Sequence, residues 1–209
     1  MKILKALIML ISGILTIGYC YFFYTEFQDI SLTTSIRFFL IGFMIFIPLW
    51  FLWIRNHHFF STFEHELTHL LVALLFMKKP AGFMVTENQG GVTSIYGNNF
   101  LITLAPYFLP TIAFLMLPVY LIIKPEFYNY LLLIIGYFTS YHVFSTIQEF
   151  SYKQPDIIQS GKAFSTVFLI FANVFVYGYL LSFVIGGFEL GWLFIKTGFM
   201  NTVNILPFI

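Results

Sequence analysis

The sequence predicts an all-α polytopic membrane protein with about six transmembrane helices and one small membrane-associated β-hairpin. Three observations carry that expectation. The 209 residues are 59% hydrophobic and 22% aromatic but only 9% charged, more apolar surface than a soluble domain of this length can bury. Apolar runs of spanning length fall at about 3–23, 36–54, 58–76, 99–123, 127–147 and 163–187. Between the third and fourth runs, the pattern switches from continuous apolar sequence to two short alternating stretches around a turn over 83–96.

The first run follows Lys2 and Lys5 and resembles a signal peptide. It is too long for one and no small-x-small cleavage site follows, so it is read as an uncleaved first helix. Residues 24–35 hold Glu26 and Asp29 and read as an outer loop. After Lys78-Lys79-Pro80, Phe83–Thr86 and Val92–Tyr96 alternate around Asn88-Gln89-Gly90-Gly91, which supplies hairpin turn chemistry. Pro106, Pro110 and Pro118 interrupt the run at 99–123 and make it the candidate for a re-entrant segment. Pro155 suits the first turn of a helix and places Asp156 at or near the start of the helix over 163–187. A weaker seventh run at 190–209, interrupted by Lys196, Asn201 and Asn204, is expected in the membrane interface.

These segments partition most simply as one integral domain over 1–209. It has two accessory N-terminal helices (1–57), a core (58–187) and a C-terminal interfacial or short membrane segment (188–209). Lys2, Lys5 and Arg55 place the N-terminus and the second loop in the cytoplasm by the positive-inside rule. With six simple crossings, Lys78-Lys79 and Lys153 fall outside, and the third and sixth helices run in opposite directions. The net charge of +1, with no basic patch large enough to suggest nucleic acid, leaves no nucleic-acid partner expected. The expected partners are the lipid bilayer and a membrane-protein or peptide substrate.

Inside the third run stands His65-Glu66-Leu67-Thr68-His69, an HExxH pentapeptide in a chain with only five histidines. Histidines four residues apart share one helix face, where both imidazoles reach one Zn²⁺, and the intervening glutamate is placed to take a proton from water. The bland alternative is a buried polar face with both histidines hydrogen-bonded and no metal. Ionisable groups inside a membrane segment favour function over that alternative. Zinc then needs a third protein ligand. Cys20 is the only cysteine, so the ligand is a histidine or a carboxylate. Asp156 is one candidate, and its competing role is a helix cap. His142 is the rival, with a packed, hydrogen-bonded histidine as its alternative role. Glu149 comes third. Glu64 points elsewhere on the helix, as a partner behind the ligands or an interfacial charge, and His57 and His58 read as interfacial.

The order of HExxH, the Gly90-Gly91-Val92-Thr93 hairpin, Leu104-Ala105-Pro106-Tyr107 and Gln154-Pro155-Asp156 with Gly161 resembles the site-2-protease-like (M50, M50B-like) membrane metallopeptidases over residues 58–187. The resemblance implies that His65, His69 and Asp156 bind zinc and that Glu66 is the general base. It also implies that the 83–96 hairpin offers an edge to which a substrate strand adds. The chain departs from the family pattern where Asp156 is followed by Ile157 instead of glycine, and the 209 residues contain no PDZ or CBS module.

The expected function is therefore intramembrane zinc-dependent peptide hydrolysis by a multi-pass protein of a bacterial cytoplasmic membrane. Two other readings compete. One is a non-enzymatic integral membrane protein or inactive homologue with a structural polar cluster. The other is a membrane di-iron oxidase, for which five histidines without HxxHH-type boxes are too few.

Overall fold

The computed structural model describes residues 2–26, 32–87 and 90–208. Asp29 of the expected outer loop and Asn88-Gln89 of the expected turn lie outside the described residues. The chain divides into two compact units, Met1–Ile36 with Gly161–Ile209, and Arg37–Ser160.

The first unit contains α1 (Lys2–Glu26) and α8 (Lys162–Ile205). Glu26, expected in a loop, is the last residue of α1. At 1.5 Å per residue, a straight α8 would run about 66 Å, twice the hydrocarbon thickness of a bilayer. It does not run straight. Gly186 and Gly187 leave helical geometry, Gly187 with φ 65° and ψ −156°, a conformation open to glycine. Beyond them the chain folds back, so Gly178 lies against the ring of Phe194 and Gly191 against the ring of Tyr179. The expected runs at 163–187 and 190–209 thus become two helical stretches that pack on each other. α1 closes the unit, with Tyr19, Phe22 and Phe194 buried together and the Tyr19 hydroxyl donating to the Ile195 carbonyl at 3.1 Å.

The second unit carries the polar motifs. Its elements, besides the bulk of α2 (Thr34–Leu52), are α3 (His58–Leu75), β1 (Pro80–Thr86), β2 (Gly90–Ile95), α4 (Phe100–Leu104), α5 (Thr111–Met116), α6 (Tyr128–Glu149) and α7 (Pro155–Ser160). α2 and α6 cross closely. Gly42 faces the Leu133 backbone and Gly136 the Phe39 backbone, approaches that leave no room for a Cβ. Phe46, Trp50 and Tyr141 form the apolar core beside that crossing.

α3 ends as its sequence requires. Met77 takes a left-handed φ of 53°, the Met77 N–H donates to Leu74 O at 2.9 Å, and the Lys78 N–H donates to Ala73 O at 2.9 Å. This paired closure satisfies the last carbonyls and turns the chain directly into β1. β1 and β2 pair antiparallel, with Phe83 opposite Thr93 and Val85 opposite Gly91, and both pack on α3.

Among the described residues four helices are long and apolar enough to cross a membrane: α1, α2, Pro125–Glu149 and α8. A fifth follows if the pair Phe100–Tyr107 and Thr111–Leu121, bent by 93°, counts as one span. That bend falls at Pro110 in the run where prolines predicted an interruption. α3 is not among the four, because Glu64, Glu66 and its histidines offset its leucines. The fold is nonetheless the expected one, an all-α polytopic membrane protein with a β-hairpin.

Candidate metal centre

α3 places His65 and His69 one turn apart, with ring centroids 4.9 Å from each other. Asp156 reaches them from α7, where Pro155 opens the helix and the Gln154 carbonyl accepts from the Ile158 N–H at 3.1 Å. The sequence put Asp156 at or near the start of the long helix over 163–187. It belongs instead to a separate short helix, because Gly161, at φ 96°, breaks the chain before α8.

One oxygen, Asp156 Oδ2, lies 3.3 Å from His65 Nε2 and 3.4 Å from His69 Nε2. Among the described residues these three side chains form the group whose donor atoms converge, all within 4.8 Å of one another. Ligands about 2.0–2.1 Å from a tetrahedral ion stand about 3.3–3.4 Å apart, so both separations suit zinc. The opposite ring atoms agree. His69 Nδ1 is 2.8 Å from the Ile102 carbonyl, which can only accept, so Nδ1 carries the proton and Nε2 the lone pair. Asn99 holds that carbonyl in place by capping α4, its side chain accepting from the Ile102 N–H at 2.9 Å. His65 Nδ1 is 3.0 Å from Glu149 Oε2, which fixes the same tautomer. Burial alone would raise the Asp156 carboxyl. Without an ion, Nε2 of His65 and of His69 can instead carry a proton and donate to it, and those hydrogen bonds outweigh burial and hold the carboxyl below the usual carboxylate range.

Glu66 points into a polar cleft of about 430 Å³ that also borders Thr62, His65, Glu87, Gly91 and Glu149. Strand β2 closes one side of this cleft. The Thr93 hydroxyl donates to the Glu66 carbonyl at 3.0 Å, and a Cβ built on Gly91 would meet Glu66 Cγ at 2.5 Å. Gly91→Ala is therefore expected to push Glu66 out of position and cost about 1–3 kcal/mol of stability. Gly82→Ala, where the added methyl meets nothing within 4 Å, is the control. Thermal unfolding of both variants checks the pair.

The other candidates lie outside the cluster. His142 is 2% exposed and packs behind α3, its Nδ1 3.5 Å from Glu64 Oε1 and its Nε2 3.3 Å from the Thr146 hydroxyl. Glu64, also 2% exposed, is thus a buried partner of His142. His57 meets Glu87 at 3.1 Å, and His58 meets Gln148 at 3.0 Å. Sequence reading missed Tyr107 as a site residue. Its hydroxyl donates to Asp156 Oδ2 at 3.3 Å, and its place just after Pro106 in an apolar run was the available signal.

A polytopic helical protein with two imidazoles and a carboxylate converging beside a free glutamate defines a class of candidate metallohydrolases. A family model described as Peptidase M50B-like matches residues 36–147, more than half of the chain, and the protein belongs to that family. The matched segment takes in most of α2, HExxH and the hairpin, and stops before Glu149 and Asp156. No curated protein and no solved structure matches the chain.

Proposed function

We propose that this protein is an intramembrane zinc metallopeptidase that hydrolyses peptide bonds of membrane-protein substrates. His65, His69 and Asp156 are its metal ligands and Glu66 its general base. The observation that carries the reading is the convergence of His65 Nε2, His69 Nε2 and Asp156 Oδ2 at tetrahedral-edge distances. Three protein ligands with the remaining position open is the pattern of catalytic rather than structural zinc.

Zinc bound there supplies a water of lowered pKa and a Lewis acid for the scissile carbonyl. Glu66 takes the proton of the attacking water and returns it to the leaving amine. Among the described residues no hydrogen bond or ion pair holds its carboxylate, whereas Glu149 is engaged by His65 and Glu87 by His57. Tyr107 donates to Asp156 and limits how that carboxylate can turn. The polar walls of the cleft admit water to a chain that is otherwise largely apolar. A helical substrate hides its carbonyls in hydrogen bonds, so a segment must unwind first. Pairing with an edge of the hairpin beside Glu66 stabilises the extended form.

The full chain purified in detergent tests the reading by metal analysis and cleavage of a transmembrane-helix peptide. The expected result is one zinc per chain, with cleavage abolished by a chelator and restored by zinc. Two irons per chain, or cleavage indifferent to the chelator, overturns it. The three converging donors, with no second such group among the described residues, favour one metal over the di-iron alternative.

A further inference from the structure

We propose that Glu149 is a positioning residue for the metal centre, holding one ligand with its carboxylate and the approach to another with its backbone. The inference rests on the zinc reading above.

Glu149 is the last residue of α6 and reaches across to α3. Its Oε2 meets His65 Nδ1 at 3.0 Å, with the two side chains 18% and 13% exposed. The nitrogens of an imidazole point away from each other, and Nε2 of the same ring faces Asp156 at 3.3 Å. An ion at Nε2 is therefore out of reach of a carboxylate held on Nδ1. Glu149 cannot complete the coordination that Asp156 completes, but it fixes the tautomer and aim of the ring that does.

The second hold is through the main chain. The Glu149 carbonyl accepts from Gln154 Nε2 at 3.0 Å, folding the segment after α6 back on the helix end. Gln154 is also the residue whose carbonyl starts α7, two positions before Asp156. The end of α6 thus fixes His65 through a side chain and the entry to the Asp156 helix through the backbone. His69 has its own support in the Ile102 carbonyl. Each imidazole therefore has a separate acceptor behind it, and the one behind His65 is hydrogen-bonded through its own backbone to Gln154, two positions before Asp156.

The test is zinc affinity of the full chain in detergent, measured by competition with a chromophoric chelator, with the absorption spectrum of the cobalt-substituted protein as a second readout. Glu149→Ala is expected to weaken zinc binding about 10–100-fold. Glu149→Gln, whose amide oxygen still accepts from Nδ1–H, is expected to recover most of that loss. Both should give a tetrahedral cobalt spectrum at saturation, since the donor set is unchanged. Glu149→Asp keeps the charge but shortens the reach, and is expected to behave like alanine, so the test survives if the alanine variant does not fold. Wild-type affinity in the alanine and aspartate variants overturns the positioning role. A cobalt spectrum that loses an oxygen donor in those variants makes Glu149 a ligand and overturns it too. A wild-type chain that binds no zinc overturns the zinc reading itself, a different and separately visible result.

Discussion

Glu66→Gln is expected to slow peptide-bond cleavage by about 10²–10⁴-fold while leaving one zinc per chain in place, the range that general acid–base assistance supplies. Both halves follow from where Glu66 lies. It is outside the group of converging donors formed by His65, His69 and Asp156, so its charge does not hold the ion. It is only 8% exposed and lies against Gly91, so an amide of the same shape keeps the packing while losing the basic oxygen. Single-turnover cleavage of a transmembrane-helix peptide, with metal analysis of the same sample, measures both. Unchanged cleavage would support an inactive homologue with a structural polar cluster, whereas loss of zinc would mean that Glu66 belongs to the coordination.

Asp156→Ala is expected to strip the chain of zinc during purification, because it removes the one oxygen that faces both imidazoles and leaves two ligands where catalytic sites keep three. The comparison is His142→Ala, the histidine that sequence alone kept as a rival. Its imidazole faces Glu64 and Thr146, so its loss should leave zinc content intact and lower stability instead, by stranding a buried carboxylate. Zinc retained in Asp156→Ala and lost in His142→Ala would reverse the assignment. Acidification of the metal-free wild type provides a further check. The Asp156 carboxyl is depressed in the folded chain, so in the metal-free protein its contact with the protons that the rings then carry on Nε2 stabilises the fold above the ordinary carboxylate range. That contribution is lost only as pH falls through the lower, folded-state value.

Local periodicity makes much of this legible in the sequence. His69 follows His65 by four positions, and helical geometry alone puts them on one face. Alternation through Phe83–Thr86 and Val92–Tyr96 marked the hairpin, and Pro106, Pro110 and Pro118 together marked the fourth run as interrupted. The contacts that complete the site are of another kind. Glu149 reaches His65, His142 reaches Glu64, and the Ile102 carbonyl reaches His69 across long stretches of chain, and no spacing rule encodes which helices end side by side. Asp156 shows the boundary between the two cases. Its helix start was readable from Pro155, but its separation from the long helix depended on the backbone at Gly161, which sequence allows without requiring. The reversal at Gly186-Gly187 is similar. Two glycines in an apolar stretch permit a fold-back, and the packing of Phe194 on Gly178 enforces it.

The contact between Gly91 and Glu66 has a consequence for how a substrate would be measured. A strand that pairs with the hairpin beside Gly91 is aligned by its backbone, and the side chain of the proton acceptor lies against that same strand. Sliding the pairing by one residue moves the scissile carbonyl about 3.3 Å along and turns its side chains to the opposite face. On the proposed reading the hairpin is thus a ruler whose zero mark is the glutamate, and the cut falls at a fixed distance from where pairing begins. Substrates of unrelated sequence would then share a cleavage offset while differing in the residues they present there.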